Sequence, residues 1–225
     1  MLVPCKDGEA YLAAALESLC AQTLPSSEFE VVFVDDGSRD GSAALARTFA
    51  ERLTLNHLTH AACKGLGVTC NDALAAAAAP LVIRVDADDL ADPRLLELML
   101  CEADSGADLV HCDRTELEMK TGSQRLVATA PFDVFKLIAC ATLMRAELLR
   151  RVGGWRPLFW EEYDLYIRYL KASGKPPRHV AESLYTYRRH SSNMTGDPGK
   201  VAAGWKEFFA LWPRESLTPY GAPPA

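Results

Sequence analysis

No uncharged apolar run in this chain of 225 residues approaches the ~20 residues needed to span a bilayer. The longest, Ala73 to Ile83, is interrupted by Pro80 and bounded by Asp72 and Arg84. No transmembrane helix is expected. The start, Met1-Leu2-Val3-Pro4-Cys5-Lys6-Asp7, carries neither a basic leader nor a long apolar stretch. No secretory signal is therefore expected, and the expected location is cytoplasmic or peripheral at a membrane. No C-x-x-C pair occurs among the seven cysteines; an odd, scattered set points to separate thiols rather than a disulfide framework or a cysteine zinc site. A basic excess is missing too: 24 Lys and Arg face 30 Asp and Glu, giving a net charge of −6. With no stripe of Lys and Arg interleaved with aromatics, nucleic acid is excluded as a bulk partner. Internal repeats are also lacking. The composition, 49% hydrophobic and 24% charged, is that of a globular chain, and one of this length buries roughly 70% of its unfolded surface. A single domain is the simplest expectation.

The first two-thirds alternate between strand-like and helix-like patterns. β-type runs occur at Phe29–Val34, Leu55–Leu58, Leu81–Val85 and Asp108–Cys112, with a short first strand at Met1–Pro4. Leu12, Leu16, Leu19 and Cys20 share one helix face, as do Leu45, Phe49 and Leu53. Further helices are expected over Val68–Ala79 and around Leu95–Met99. Such alternation predicts an α/β fold with a mostly parallel central sheet flanked by helices. Beyond it, Thr115–Lys120 and Gln124–Ala128 read as a hairpin, Leu137–Met144 as a strand and Ala146–Val152 as a short helix. Glu161–Ala172 is an amphipathic helix and Val180–Arg188 a strand. The proline-bearing tail from Pro213 is expected to be loosely docked.

Carboxylates gather at the predicted strand ends, where ligands of open α/β sheets bind. Val34-Asp35-Asp36-Gly37-Ser38-Arg39-Asp40-Gly41 closes one strand. Its acids can accept hydrogen bonds from a base or a ribose, although Asp36 and Ser38 also suit a turn and Asp40 a helix N-cap. Arg84-Val85-Asp86-Ala87-Asp88-Asp89 closes the next. Strand alternation would put Asp86 and Asp88 on one side, where a hard cation such as Mg²⁺ or Mn²⁺ could hold them together with diphosphate oxygens. Lys64-Gly65-Leu66-Gly67 is half of a dinucleotide fingerprint, but Cys70 occupies the third glycine position, so a Rossmann oxidoreductase is disfavoured. In Trp160-Glu161-Glu162-Tyr163-Asp164 the acids open a helix, where its dipole favours the ionised form that a general base needs. In Tyr187-Arg188-Arg189-His190 the guanidinium groups can grip a diphosphate and the imidazole can ligate a metal.

In this order and spacing, the motifs resemble a family-2 glycosyltransferase of the GT-A fold over residues 3–196. The start from Val3 to Leu12 is similar to P-x-x-N-x-E-x-Y-L, with Asp7 in place of the Asn. Val34–Gly41 is similar to V-D-D-G-S-x-D-G, Asp86–Asp89 to the D-x-D segment, Glu161–Leu165 with Arg168 to E-D-Y-D-L-x-x-R, and Tyr187–His190 to Y-R-x-H. The resemblance implies transfer of a sugar, with inversion, from a nucleotide-diphosphate donor such as a UDP-sugar to the hydroxyl of a glycan or small-molecule acceptor. It implies a base contact at Asp35 or Asp36 and a ribose contact at Asp86. Pro4, Glu9, Ser38, Lys64, Ala87 and Arg189 are further nucleotide-side candidates. Mn²⁺ or Mg²⁺ would be held by Asp88 and His190, with Asp86 a third candidate ligand. Glu162 falls at the position of the base, with Glu161 and Asp164 as competing candidates. Residues 1–112 would form the nucleotide-sugar half, 113–212 the acceptor half and 213–225 a tail. Glu162 replaces the usual Asp, and Cys70 stands where an Arg commonly precedes Asn71. The rival reading is a fold relative that binds a nucleotide or glycan without turnover.

Overall fold

The computed structural model describes residues 1–224. β1 (Leu2–Cys5), β2 (Val31–Asp35) and β3 (Leu55–Thr59) form a parallel sheet in the order β1-β2-β3. A parallel bridge between Leu2 and Arg84 joins this sheet to β4 (Leu81–Ile83) and the strands beyond it. Those strands are β5 (Leu90–Ala91), β6 (Leu109–Glu118), β7 (Gln124–Val127), β8 (Thr142–Arg145) and β9 (Arg178–Arg189), in the order β4-β8-β6-β9-β5 with β7 paired to β6. Here β6 and β9 run parallel while β8 is antiparallel to both β4 and β6. The parallel character expected from the sequence thus belongs to the N-terminal strands, and the C-terminal half is mixed.

Burial on both faces explains the unbroken apolar run of β2, because alternating side chains feed two cores. Phe33 packs with Val3, Leu12, Leu16 and Leu19, whereas Val32 and Val34 pack with Leu2, Cys70 and Leu74. The first core is closed by α1 (Glu9–Cys20), α2 (Ser42–Arg47) and α4 (Leu95–Asp104). The second is closed by α3 (Leu66–Ala76), α5 (Ala146–Arg151), α6 (Glu161–Ser173) and α7 (Pro198–Leu211). Burying a side chain such as Phe33 contributes about 1.5–3 kcal/mol.

Several boundaries differ from the sequence expectation. β2 begins only at Val31, and the Glu30 carboxylate just before it accepts the Ala78 and Ala79 N–H groups at 2.7 and 3.0 Å. α2 stops at Arg47, although Phe49 and Leu53 are still buried from the turns that follow; their spacing reported burial rather than helix. Leu137–Met144 is not one strand. A 3₁₀ turn covers Val134–Lys136, Ala141 has φ 56°, and β8 starts only at Thr142. The tail is docked through buried Leu217 and the Val134 N–H to Tyr220 carbonyl bond of 2.8 Å. α7 was not expected, yet its start is written in Asp197-Pro198: Asp197 caps the Gly199 and Lys200 N–H groups and Pro198 occupies the first turn. All seven cysteines are free, and no helix among the described residues is long and apolar enough to cross a membrane.

Candidate active site

Beyond β4 the chain turns, closed by an Asp89 N–H to Asp86 carbonyl bond of 3.1 Å. Strand alternation therefore does not set the directions of these acids. Arg84, buried to 4% exposure, donates from Nε and Nη2 to the two Asp86 oxygens at 2.6 and 3.1 Å, and from Nη1 to Glu161 Oε1 at 3.0 Å. Asp88 Oδ2 lies 3.0 Å from His190 Nε2. The imidazole stacks on Tyr11 at 4.3 Å, and its Nδ1 is 2.8 Å from Ser192 Oγ. Asp89 Oδ1 accepts the Arg188 N–H at 2.8 Å, while its buried Oδ2 has no partner among the described residues. Ligand atoms of Asp86, Asp89 and Cys140 fall within 4.8 Å of one another. Burial, reinforced by the Asp86 charge, pushes the Asp88 and Asp89 carboxyls up. A divalent cation would relieve that cost at these oxygen donors; the His190 imidazole meets Asp88 alone and stands outside the Asp86, Asp89 and Cys140 group.

The first signature folds into a lock between two loops. Ser38 Oγ accepts the Asp7 N–H at 2.8 Å, Asp7 accepts the Arg39 N–H at 2.7 Å, and Glu9 accepts the Gly41 N–H at 2.8 Å. Gly37 has φ 68°, and a Cβ there would sit 2.8 Å from the Ala62 carbonyl carbon, which is why the turn needs glycine. Asp35 accepts the Ser38 N–H at 3.2 Å. Asp36 is enclosed by His60 Nδ1 at 2.8 Å, the Lys64 and Gly65 N–H groups at 2.7 and 2.9 Å, and the Cys63 thiol at 3.1 Å. Burial pushes this carboxyl up, but those four hydrogen bonds outweigh it and hold it well below the usual carboxylate range. Asp36 also lines a cavity of about 170 Å³ with Pro4, Lys6, Cys63, Gly65 and Thr69.

The acids of α6 divide by environment. Asp164, fully buried, is gripped by Arg168 Nε at 2.8 Å, Arg156 Nη1 at 3.2 Å and Trp212 Nε1 at 3.1 Å, and it lies outside the cleft lining. Glu161 is tied to Arg84. Glu162 is half-buried, faces the cleft and has no side-chain partner among the described residues. Burial, followed by the neighbouring Glu161 charge, pushes its carboxyl well above the ordinary glutamate range. That cleft, about 450 Å³, is lined by Arg84, Asp86, Trp160, Glu161, Glu162 and Arg189 among others. Trp155 leads the chain into it, pinned by Asn71, which accepts the Trp155 N–H at 2.9 Å and donates to the Trp155 carbonyl at 2.8 Å.

The structure thus brings Asp86, Glu161, Glu162 and Arg189 to one cleft. Glu9 and Ser38 spend their side chains on the loop lock, and Lys64 pairs with Asp72 at 3.1 Å. Ala87 is buried, and Cys70 is a core thiol that burial pushes up to about 12. Sequence reasoning missed Arg84 and Tyr11, and read Arg188 as a diphosphate grip whereas its guanidinium donates to the Asp88 and Tyr11 carbonyls. Arg84 had a usable signal: a lone cation closing an apolar strand two residues before Asp86 is near enough in the chain to pair with it.

The Glycosyl transferase family 2 model matches residues 1–170. The chain belongs to glycosyl transferase family 2. Among the relatives of this family-2 chain, the uncharacterized glycosyltransferase EpsJ of Bacillus subtilis is 26% identical over 230 residues, covering 90% of this chain and 64% of that one. TarS of Staphylococcus aureus, a poly(ribitol-phosphate) β-N-acetylglucosaminyltransferase, is 29% identical over 171 residues, covering 74% and 29% respectively. The chain therefore spans less than two thirds of these relatives. The crystal structure of TarS residues 1–349 with UDP-GlcNAc superposes with a TM-score of 0.75 at 21% identity, over 87% of this chain and 60% of that one. The mannosyltransferase PcManGT of Pyrobaculum calidifontis, solved with GDP-Man and Mn²⁺, gives 0.72 at 19% identity over 99% and 65%. At these identities the superpositions establish the fold, which is of the GT-A type.

Proposed function

We propose that this family-2 chain is an inverting glycosyltransferase that moves a sugar from a nucleoside-diphosphate donor, UDP-linked, to an acceptor hydroxyl in the cleft beside α6. One observation carries the reading. Of the three acids opening α6, Glu162 alone presents its carboxylate to the cleft free of a side-chain partner, with its proton affinity raised by burial and the Glu161 charge, the direction a general base needs. Glu162 takes the acceptor proton as the acceptor oxygen attacks the anomeric carbon opposite the leaving diphosphate. Arg84 holds Asp86 and Glu161 in place by hydrogen bonds, leaving Glu162 as the acid turned to the acceptor. Family membership and the donors bound by TarS and PcManGT support a nucleotide-sugar donor.

Asp88 and His190 are the residues that would hold Mg²⁺ or Mn²⁺, with the Arg84-paired Asp86 a third candidate, and the ion would supply Lewis-acid neutralisation of the departing diphosphate. His190 is oriented for this by Tyr11 and Ser192. The base of the nucleotide enters beside Pro4 and Asp36, where Asp36 shapes the Cys63–Gly65 wall and Asp35 closes the strand. Residues 1–112 form the nucleotide half and 113–212 the acceptor half. Screening nucleotide-sugars for nucleoside-diphosphate release with Mn²⁺, Mg²⁺ or EDTA tests this reading. Metal-dependent release is expected, and none from any donor would contradict it.

A further inference from the structure

Glu116 on β6 sits under three guanidinium groups. It accepts from Arg114 Nη2 at 3.0 Å and Arg125 Nη2 at 2.7 Å, and Arg189 Nη1 lies 3.5 Å away. Burial pushes this carboxyl up, but the Arg125 and Arg114 contacts outweigh it and keep it ionised. One carboxylate beneath three guanidiniums leaves a surplus of two positive charges in a chain of net charge −6. The nearest rim acid, Glu118, is turned to the Lys120 N–H at 3.3 Å. Arg114 gives Nη1 to the Lys136 carbonyl at 2.6 Å, yet its buried Nε has no partner among the described residues. Arg125 and Arg189 are 72% and 52% exposed at the side chain, so their remaining donors are open to a ligand.

Arg125, Arg189 and Glu116 line a second cleft of about 370 Å³ along the β6–β7 hairpin, with Glu118, Ser123 and Gln124, whereas Arg114 faces the main cleft. The second cleft contains none of the acids of the Asp86–Asp89 turn and meets the main cleft at Arg189 and Glu116. We propose that Arg125 and Arg189, which share Glu116 with Arg114, form a binding site for a phosphate group carried by the acceptor. A planar carboxylate satisfies one fork, whereas a tetrahedral phosphate can take forks from several directions. Arg125, on the hairpin, carries the site beyond Arg189, and neither Asp88 nor His190 lines this cleft, which separates this anion from the donor diphosphate. The acceptor role rests on the transferase reading above; the phosphate site does not.

The test is calorimetric titration of inorganic phosphate into the full chain, without nucleotide and with saturating UDP and Mg²⁺. Saturable millimolar binding is expected. Arg125→Gln should weaken it about tenfold, the scale of one charge-assisted contact. Glu116→Gln, which removes the competing charge and keeps the shape, should tighten it several-fold. UDP loading should leave the affinity within about twofold. Absent binding, indifference to Arg125→Gln, or weaker binding in Glu116→Gln would overturn the site. Displacement of phosphate by UDP would instead assign the arginines to the donor diphosphate and overturn the acceptor proposal. Failure of UDP to bind would contradict the donor site and not the phosphate site, whose isotherms are recorded without nucleotide.

Discussion

Arg84 Nη1 lies 3.0 Å from Glu161 Oε1, across a sequence separation of 77 residues. This contact ties the end of β4 to the first turn of α6, and therefore the Asp86–Asp89 turn to the acids of the proposed catalytic helix. Both partners are 4% exposed at the side chain, so each charge depends on the other to be tolerated. Arg84→Ala would leave Glu161 and Asp86 without their counter-ion. We expect a loss of about 3–5 kcal/mol of stability, measurable by urea unfolding. Arg84→Lys cannot serve both acids with one fork, so it should recover only part of that loss.

Asp36 gives a pH signature of its own. Its folded carboxyl is depressed, so the stability it contributes is present above the unfolded pKa of ~3.9 and is lost as pH falls below it. Asp36→Asn puts an amide before the Lys64 and Gly65 N–H donors and should cost about 1–3 kcal/mol at neutral pH. The gap from the parent protein should begin to narrow as pH falls below the unfolded value and stay open at pH 3. Denaturant melts between pH 3 and pH 7 check both the size and the trend.

Glu162 should behave in the opposite sense. Its folded carboxyl is raised, so ionising it as pH climbs from the ordinary glutamate range through the raised value costs stability. Glu162→Gln should melt higher than the parent at pH 8, with the difference vanishing toward pH 4. The acid limb of turnover should lie above the ordinary glutamate range for the same reason. A thermal-melt series alongside a pH–rate profile checks the two together.

Metal dependence is tested at Asp88. In the proposed mechanism, Asp88→Ala weakens UDP binding in Mn²⁺ by about tenfold or more, in keeping with the loss of one coordinating carboxylate, and changes little in EDTA. Equal UDP affinity of the parent protein with and without metal would remove this role.

Much of the fold was legible because burial on two faces writes itself as unbroken apolar runs; β2 is the example. Leu137–Met144 misled because an apolar run also fits an irregular buried segment, and no local signal marks the positive φ at Ala141. In the site, acids at strand ends and a helix start were readable as positions. Their partners were not. Asp164 and Glu162 look alike in sequence, and only the tertiary placement of Arg156, Arg168 and Trp212 shows that Asp164 is neutralised while Glu162 is left open. Arg84 was overlooked because a single charge closing a strand reads as ordinary strand-end polarity until Glu161 is folded against it.

The most direct measurement compares transfer by the parent protein, Glu162→Gln and Asp164→Asn, using a donor that the parent turns over. Glu162→Gln keeps the shape of the side chain and removes the proton acceptor. Transfer should fall by roughly 10²–10⁴, the usual worth of general acid–base catalysis, with donor affinity retained. Asp164→Asn should lower stability, through its lost ion pairs, and keep turnover in whatever fraction remains folded. Undiminished transfer in Glu162→Gln, or its loss in folded Asp164→Asn alone, would contradict the assignment of the base to Glu162.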